Sequence, residues 1–406
     1  MQTDKKCYKQ KNMDDKKSKI FGFDKNIFFL GVVSFLTDVS SEMIYPLLPI
    51  FLTNILKAPL SFVGLIEGIA ESTASILKLF SGAISDKLRI RKPLILFGYG
   101  ISSLAKPLIA IATAPWHILA IRFMDRTGKG IRTAPRDALI ADSCSPNERG
   151  KSFGFHRSMD HAGAILGPIL ASVILYFFTE NYRLVFWIAF IPAILSVFFL
   201  FYRVTEKVSE VQTKAPFKFS LKPFNKKFKL LLAIIFIFTL SNSSDAFLIL
   251  RAKDLGISIA LIPILWILLH IVKMTSSLPG GILSDKFGRK KILITGWLIY
   301  AITYFGFGYA KSALDIWLLF AVYGIFFGLT EGVEKALVAD ITDSNIRGSA
   351  YGMYNFIIGI GAFPSSFIFG IIWQSLGAKT AFFYSSILAL ASALLLLFTF
   401  KTESQS

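Results

Sequence analysis

The chain reads as an all-α membrane protein, twelve transmembrane helices in two six-helix halves. Three observations predict this. Hydrophobic residues make up 54% of the 406 and charged residues only 17%, against about 25% charged in soluble proteins. Apolar runs recur from Asn26 to Phe400, and at about 20 residues each can cross about 30 Å of hydrocarbon. The chain is also one half written twice in the same orientation. Ala141-Asp142, Arg149-Gly150 and Phe153-Gly154 return as Ala339-Asp340, Arg347-Gly348 and Tyr351-Gly352, each 198 residues on (340 − 142). Self-similarity at so long a period in an apolar chain points to a membrane bundle of parallel repeats with a site between them. A soluble bundle would need polar outer faces at helical spacing, and the stretches 229–240 and 379–400 have none.

The elements follow in order. A polar, Lys-rich tail (1–26) precedes span 1 (27–54), which is too long and uninterrupted for a cleaved signal. Spans 2 and 3 are read at 59–84 and 93–111. Span 4 (115–140) carries Arg122, Asp125, Arg126, Lys129, Arg132, Arg136 and Asp137. Alone it would not insert, since each central charge costs about 2.5–3.5 kcal/mol. Shifted by 198, however, 126–142 lands on 324–340, the end of a plainly apolar run. Span 4 is therefore transmembrane and shielded from lipid by its neighbours. Spans 5 and 6 (152–177 and 182–202) complete an N-terminal half, 27–202. The segment 203–228 is polar and basic, and reads as the linker between halves. Spans 7 to 12 (228–250, 257–283, 291–310, 314–340, 351–375 and 379–400) form a C-terminal half, 229–400, before a tail at 401–406. The other loops are short, so function must sit inside the bundle.

The formal net charge of +18 looks like a nucleic-acid signal until its placement is read. With the N-terminus cytoplasmic, about 28 Lys and Arg fall on cytoplasmic segments and about 6 on external ones. This asymmetry predicts a multi-pass protein of the plasma (inner) membrane with both termini cytoplasmic. The basic tails then face anionic lipid, and no nucleic-acid partner is needed. Cys7 and Cys144 both fall on the cytoplasmic side without His or Cys at metal-ligand spacing, so neither a disulfide, a metal nor a cofactor is expected.

The motifs carry a family resemblance. The run from Gly281 through Asp285, Lys286, Gly288, Arg289, Lys290 and Lys291 resembles the loop signature of the major facilitator superfamily. Its first copy holds Gly82, Asp86, Lys87, Arg91 and Lys92, with Arg89 and Ile90 where Gly and Arg are expected. Asp142 with Arg149, and Asp340 with Arg347, match the partner signature at the ends of spans 4 and 10 and the starts of spans 5 and 11. The resemblance implies that Asp86, Asp142, Arg149, Asp285, Arg289, Asp340 and Arg347 gate one transport state through inner-face salt bridges. Simple helix capping is the plainer alternative. Gly163, Gly167 and Pro168 resemble part of the motif of exporters that exchange solute for protons, although Ala171-Ser172 stands where a Gly-Gly pair is expected. The Arg-x-x-x-Gly of such exporters is also missing, Arg122 being followed by Arg126. The span 4 region resembles a bacterial and archaeal branch of the superfamily rather than its well-known drug and sugar exporters.

Ionisable groups inside spans are functional by default, because nothing else justifies their cost. Asp38 and Glu42 share one face of span 1, and Glu67, Glu71 and Lys78 one face of span 2. Arg122, Arg126, Lys129 and Arg136 form a stripe down span 4. In the superfamily, spans 1, 4, 7 and 10 line the central cavity. By that resemblance Arg122, Arg126, Asp245, Glu331 and Glu334 are the cavity residues. Two carboxylates one helical turn apart in a dry site cannot both stay ionised cheaply, which makes Asp38, Glu42, Glu67 and Glu71 candidate proton-coupling sites. The alternative is that both pairs are salt-bridged to span 4. Guanidinium groups suit carboxylates and phosphates. The expectation is thus a proton-coupled secondary transporter of a small polar solute, anionic or zwitterionic, with export favoured. Uptake of a metabolite or metal chelate is the alternative, and a transporter-like receptor or sensor the alternative of another class. A monomer suffices, and no enzymatic site is read.

Overall fold

The computed structural model describes residues 19–48, 51–58, 60–178, 181–207, 221–257 and 261–399. Its N-terminal half holds α1 (Lys25–Ile44), α2 (Leu60–Leu88), α3 (Lys92–Ile111), α4 (Pro115–Asp142), α5 (Arg149–Phe177) and α6 (Tyr182–Arg203). The C-terminal half holds α7 (Lys226–Ser241), α8 (Ala246–Asp254), α9 (Ile262–Phe287), α10 (Arg289–Tyr309), α11 (Ala313–Asp340), α12 (Arg347–Leu376) and α13 (Ala378–Thr399). Among the described residues nine helices are long and apolar enough to cross a membrane. Of the other three predicted spans, α4 carries its charge stripe and span 7 is broken into α7 and α8.

That break corrects the continuous 228–250 read from the sequence. Asn242, Ser243, Ser244 and Asp245 interrupt the helix; such side chains compete with the backbone for its hydrogen bonds. Neighbours take up the freed groups, since Tyr300 Oη donates to the Ser241 carbonyl (2.7 Å) and Ser244 N–H donates to Ser366 Oγ (3.0 Å). Span 1 is likewise shorter than 27–54. It stops beside Pro46, which has no N–H to continue the ladder, and a π-helical turn, Phe51–Ile55, follows. The tail also gains structure. Lys19–Ile20 and Phe23–Asp24 pair as a small hairpin (β1 and β2), tied down by Lys19–Glu148 (3.4 Å) and Lys207–Asp24 (2.9 Å). Of the linker, 208–220 lies outside the described residues.

The repeat in the sequence is a repeat in packing. In the first half α1 packs on α5 and α6, α4 on α2 and α3, and α3 on α6; in the second, α7 packs on α12 and α13, α11 on α9 and α10, and α10 on α13. The halves meet through α2 against α12 and α5 against α9. Many large apolar side chains, Phe97, Leu104, Phe198, Ile302 and Phe398 among them, point outward, as a lipid-facing surface requires. The face carrying the α2–α3, α4–α5, α9–α10 and α11–α12 connections, with Arg91, Arg149, Arg289 and Arg347, is called the basic face here.

At this face the halves touch backbone to backbone. A Cβ on Gly82 would lie 2.1 Å from Gly348 O, and one on Gly281 would lie 2.0 Å from Gly150 O. Only glycine fits at these two repeat-related crossings. Replacing Gly281 by Val should therefore push α9 off α5 and open the basic face. Spin labels at Asn147 and Thr342, which flank one shallow pocket there, should shift to longer distances in that variant. An unchanged distance distribution would show that the glycine contact does not set the closure.

Candidate functional site

Among the described residues three charged clusters run through the bundle. The first is a cavity of about 190 Å³ between α1, α3 and α4, in the part of the N-terminal half away from the basic face. Asp38 and Glu42 of α1 line it with Lys106 of α3 and with Arg122, Asp125, Arg126, Lys129 and Arg132 of α4. Lys106 Nζ lies 3.3 Å from Asp125 and 3.1 Å from Ser41 Oγ, and Arg122 lies 3.6 Å from Asp125. The stripe follows Arg122, Arg126, Lys129 and Arg132; Arg136, which the spacing placed on it, is not among the lining residues and pairs with Asp137. Behind the two carboxylates, α5 presses on α1. Cβ atoms on Gly163 and Gly167 would lie 2.5 Å from Phe35 O and 2.7 Å from Val39 O, so these glycines set where Asp38 and Glu42 stand.

The second cluster lies between the halves. Asp137 is fully buried, 3.0 Å from Arg136 and 2.5 Å from Lys335. Asp137 and Lys335 are equivalent positions of the two repeats, 198 residues apart, so this pair sits where the repeats meet their own counterparts. Beside it, Glu331 faces His161 (3.3 Å) and Arg157 (3.7 Å), and Asp160 faces Arg157 (2.8 Å) and His156 (3.6 Å).

The third cluster closes the basic face. Asp86 accepts from the N–H groups of Gly348 (3.0 Å) and Ser349 (2.5 Å), at the start of α12. Asp285 accepts from Gly150 (3.0 Å) and Lys151 (2.7 Å), at the start of α5. Each aspartate thus caps a helix of the opposite half, where the helix dipole favours an anion. The arginines also cross over. Arg149 pairs with Asp340 (2.5 Å) and Arg347 with Asp142, so each salt bridge joins the two halves. Arg289 pairs with Asp285 and with Asp340 (3.0 Å). Arg91 does the same job in the first half, 2.6 Å from Asp86 and 3.6 Å from Asp142. The departure from the loop signature is thus one extra residue, turned by Arg89 at φ 56° where the second copy uses Gly288 at φ 96°.

A glycine-packed, twice-repeated bundle with this crossed loop network calls for comparison with known proteins. The family model of the Major Facilitator Superfamily matches residues 30–272 and 230–406. The chain belongs to the major facilitator superfamily. It is 40% identical over 380 residues, 92% of its length and 94% of the relative's, to an MFS-type transporter of Methanocaldococcus jannaschii whose own function is uncharacterised. It is 24% identical to the multidrug resistance protein MdtH of Salmonella arizonae, over 82% of each chain. Among solved structures, the human organic anion transporter MFSD10 superposes with a TM-score of 0.79 at 17% identity, covering 92% of this chain and 99% of that one. As a major facilitator the protein is a multi-pass membrane transporter of twelve spans, with the broken span 7 counted once.

Within that frame the expected cavity residues separate. Arg122 and Arg126 line the cavity with Asp38 and Glu42. Glu331 belongs to the cluster between halves. Asp245 stands at the helix break, where Tyr323 Oη donates to it (2.8 Å). Glu334 accepts from Trp297 Nε1 (3.3 Å) and Tyr354 Oη (2.7 Å) inside the C-terminal half. The side chains of Glu67 and Glu71 lie outside the described residues. Pro168 sits within α5, one residue past Gly167. Sequence reasoning passed over Lys106 and Arg132 as site residues. A lone lysine in the otherwise apolar span 3 was the available signal for the first. Removing one partner of the buried central pair strands the others: Asp137→Asn should destabilise the protein by about 3–5 kcal/mol. Asp137→Asn combined with Lys335→Met should recover much of that in thermal or denaturant unfolding. Equal losses in single and double variants would show that the pair is not coupled.

Proposed function

We propose that this protein is a proton-coupled secondary transporter that moves a small polar solute, anionic or zwitterionic, through the cavity between α1, α3 and α4. The observation that carries the reading is that cavity, whose lining is almost wholly charged or polar. The placement of Lys and Arg supports a cytoplasmic basic face with both termini on that side of the plasma membrane. The conformation described then has its cytoplasmic gate shut, with the cavity on the outer side of it. Rocking of the halves would break the crossed salt bridges, part the glycine crossings, and re-form contacts on the other side.

Asp38 and Glu42 are the proposed proton sites. They stand one turn apart beside Lys106 of α3 and five charges of α4, so a proton on either alters how strongly α1 is held to α4. A proton on either carboxylate would release cationic partners to the solute, and the Gly163, Gly167 and Pro168 segment supports export. A charged lining also suits a polar solute better than the drugs in the name of the Salmonella relative. A monomer is enough for this mechanism.

Flux in proteoliposomes under an imposed pH gradient tests the reading. Wild-type protein should drive solute against its gradient, and Asp38→Asn or Glu42→Gln should abolish the response to pH while leaving solute exchange in place. A flux indifferent to the gradient removes proton coupling, and a ligand that binds without moving favours a receptor.

A further inference from the structure

We propose that Arg157 is a switch between the halves: it stays with Asp160 of its own helix while that carboxylate is charged, and passes to Glu331 of the opposite half when a proton neutralises Asp160. Proton uptake beside the cavity then tightens the contact of α5 with α11 and favours the closed basic face. This rests on the proton-coupled reading above and adds the positioning residue that carries the proton's effect from the cavity to the contact between halves.

Arg157 stands between two acids, one in each half. Its Nη1 donates to Asp160 Oδ2 (2.8 Å), while its Nε lies 3.7 Å from Glu331 Oε2 and has no hydrogen-bond partner among the described residues. Asp160 Oδ1 and Glu331 Oε2 are likewise buried without such a partner, as are His156 Nε2 and His161 Nε2. In the neighbouring group of Arg136, Asp137 and Lys335, no side-chain atom is left in this state among the described residues. One part of the contact between halves is settled and the other is not. Buried polar groups short of a partner are costly, and here one guanidinium serves two carboxylates.

The surrounding groups do not relieve it. His156 Nδ1 lies 3.6 Å from Asp160, and His161 Nε2 lies 3.3 Å from Glu331 without the alignment of a hydrogen bond. Charges also act on these residues from the packed helices: Arg136 and Asp137 of α4, His270 and Lys273 of α9, and Glu334 and Lys335 of α11. Most are already engaged. Arg136 and Lys335 hold Asp137, and Glu334 accepts from Trp297 and Tyr354. The Lys273 ammonium sits over the Phe327 ring, 3.4 Å from its centroid. His270 lies beside His161, with 5.4 Å between ring centroids.

Asp160 also belongs to the part of α5 that meets α1 at the cavity. Three residues on, a Cβ on Gly163 would lie 2.9 Å from Asp38 Cβ. Asp160 acts on Asp38 more strongly than Glu42 does. Like charges so placed in a dry site do not both stay ionised cheaply, so a proton taken up at Asp38 is shared with Asp160. The backbone here is fixed. Ser158 Oγ donates to the Met274 carbonyl of α9 (2.8 Å), and a Cβ on Gly154 would lie 2.4 Å from Ser277 O. Passing Arg157 from one acid to the other is therefore a side-chain movement and needs no helix shift.

The test is the pH profile of closure. Spin labels at Asn147 and Asp343, exposed positions of opposite halves on the basic face, report it in full-length protein with Cys7 and Cys144 replaced by serine. Wild-type protein should be more closed in acid than in alkaline buffer. Asp160→Asn frees Arg157 at every pH and should stay closed throughout. Glu331→Gln leaves Arg157 no carboxylate across the interface and should be more open, again without a pH response. The closed-to-open ratio should differ from wild type by about tenfold or more, upward for Asp160→Asn in alkaline buffer and downward for Glu331→Gln in acid, the scale of one hydrogen bond to a charged group. A merely structural ion cluster would loosen in both variants and move both the same way. Arg157→Gln should lose the pH response and Arg157→Lys should keep part of it; this pair decides should either acid variant fail to fold. Shifts of the same sign in Asp160→Asn and Glu331→Gln overturn the proposal. So does a pH response that survives Asp160→Asn or Arg157→Gln, or a wild type whose distances ignore pH. Gradient-driven flux of the wild type alongside any of these results removes the switch and leaves the proton-coupled transporter standing, whereas flux indifferent to the gradient removes both.

Discussion

Ionised side chains facing hydrocarbon are costly, and α4 carries eight of them in its 28 residues. Everything around α4 follows from hiding it. Cβ atoms on Gly128 and Gly130 would collide with Gly98 O and Leu77 Cβ, so α3 and α2 lie directly against its backbone and screen it from lipid. What the neighbours do not cover becomes the interior polar path. Arg122, Arg126, Lys129 and Arg132 face the cavity, Asp137 meets Lys335 of the other half, and Asp142 ends the helix in the basic-face network. A single element thereby links the cavity, the contact between halves and the basic-face network.

The closed basic face is built from short-range chemistry used twice. A carboxylate at the end of α2 or α9 caps α12 or α5, an arginine braces it, and two bare glycines let the helices cross. The caps and the glycine crossings join the two halves, while each bracing arginine belongs to the same half as the carboxylate it braces. Closing the basic face therefore satisfies helix N-termini and charges that opening exposes to water, where they are also well solvated.

Much of this was legible in the sequence because membrane constraints are severe. Apolar length located the spans, and the 198-residue repeat decided span 4 against its own composition. Residue types at helical spacing put Asp38, Glu42, Arg122 and Arg126 on compatible faces. Failures came where local chemistry overrides hydropathy. Asn242 to Asp245 reads as four polar residues in a long apolar run, and only the three-dimensional neighbours Tyr300 and Ser366 show why the helix can break there. The crossing of Arg149 to Asp340 and of Arg347 to Asp142 was equally hidden, since each arginine lies nearer in sequence to the aspartate it does not pair with. Glu331 and Glu334, three residues apart, face different surroundings because one turn of α11 points at α5 and the next into its own half.

The meeting of Asp137 with Lys335 reaches beyond mechanism. These are the same position of the two repeats, brought face to face. Two copies of the N-terminal half joined the same way would set carboxylate against carboxylate, and two C-terminal halves ammonium against ammonium. Each half is thereby made incompetent to partner itself, and the duplicated chain is committed to staying a heterodimer on one polypeptide.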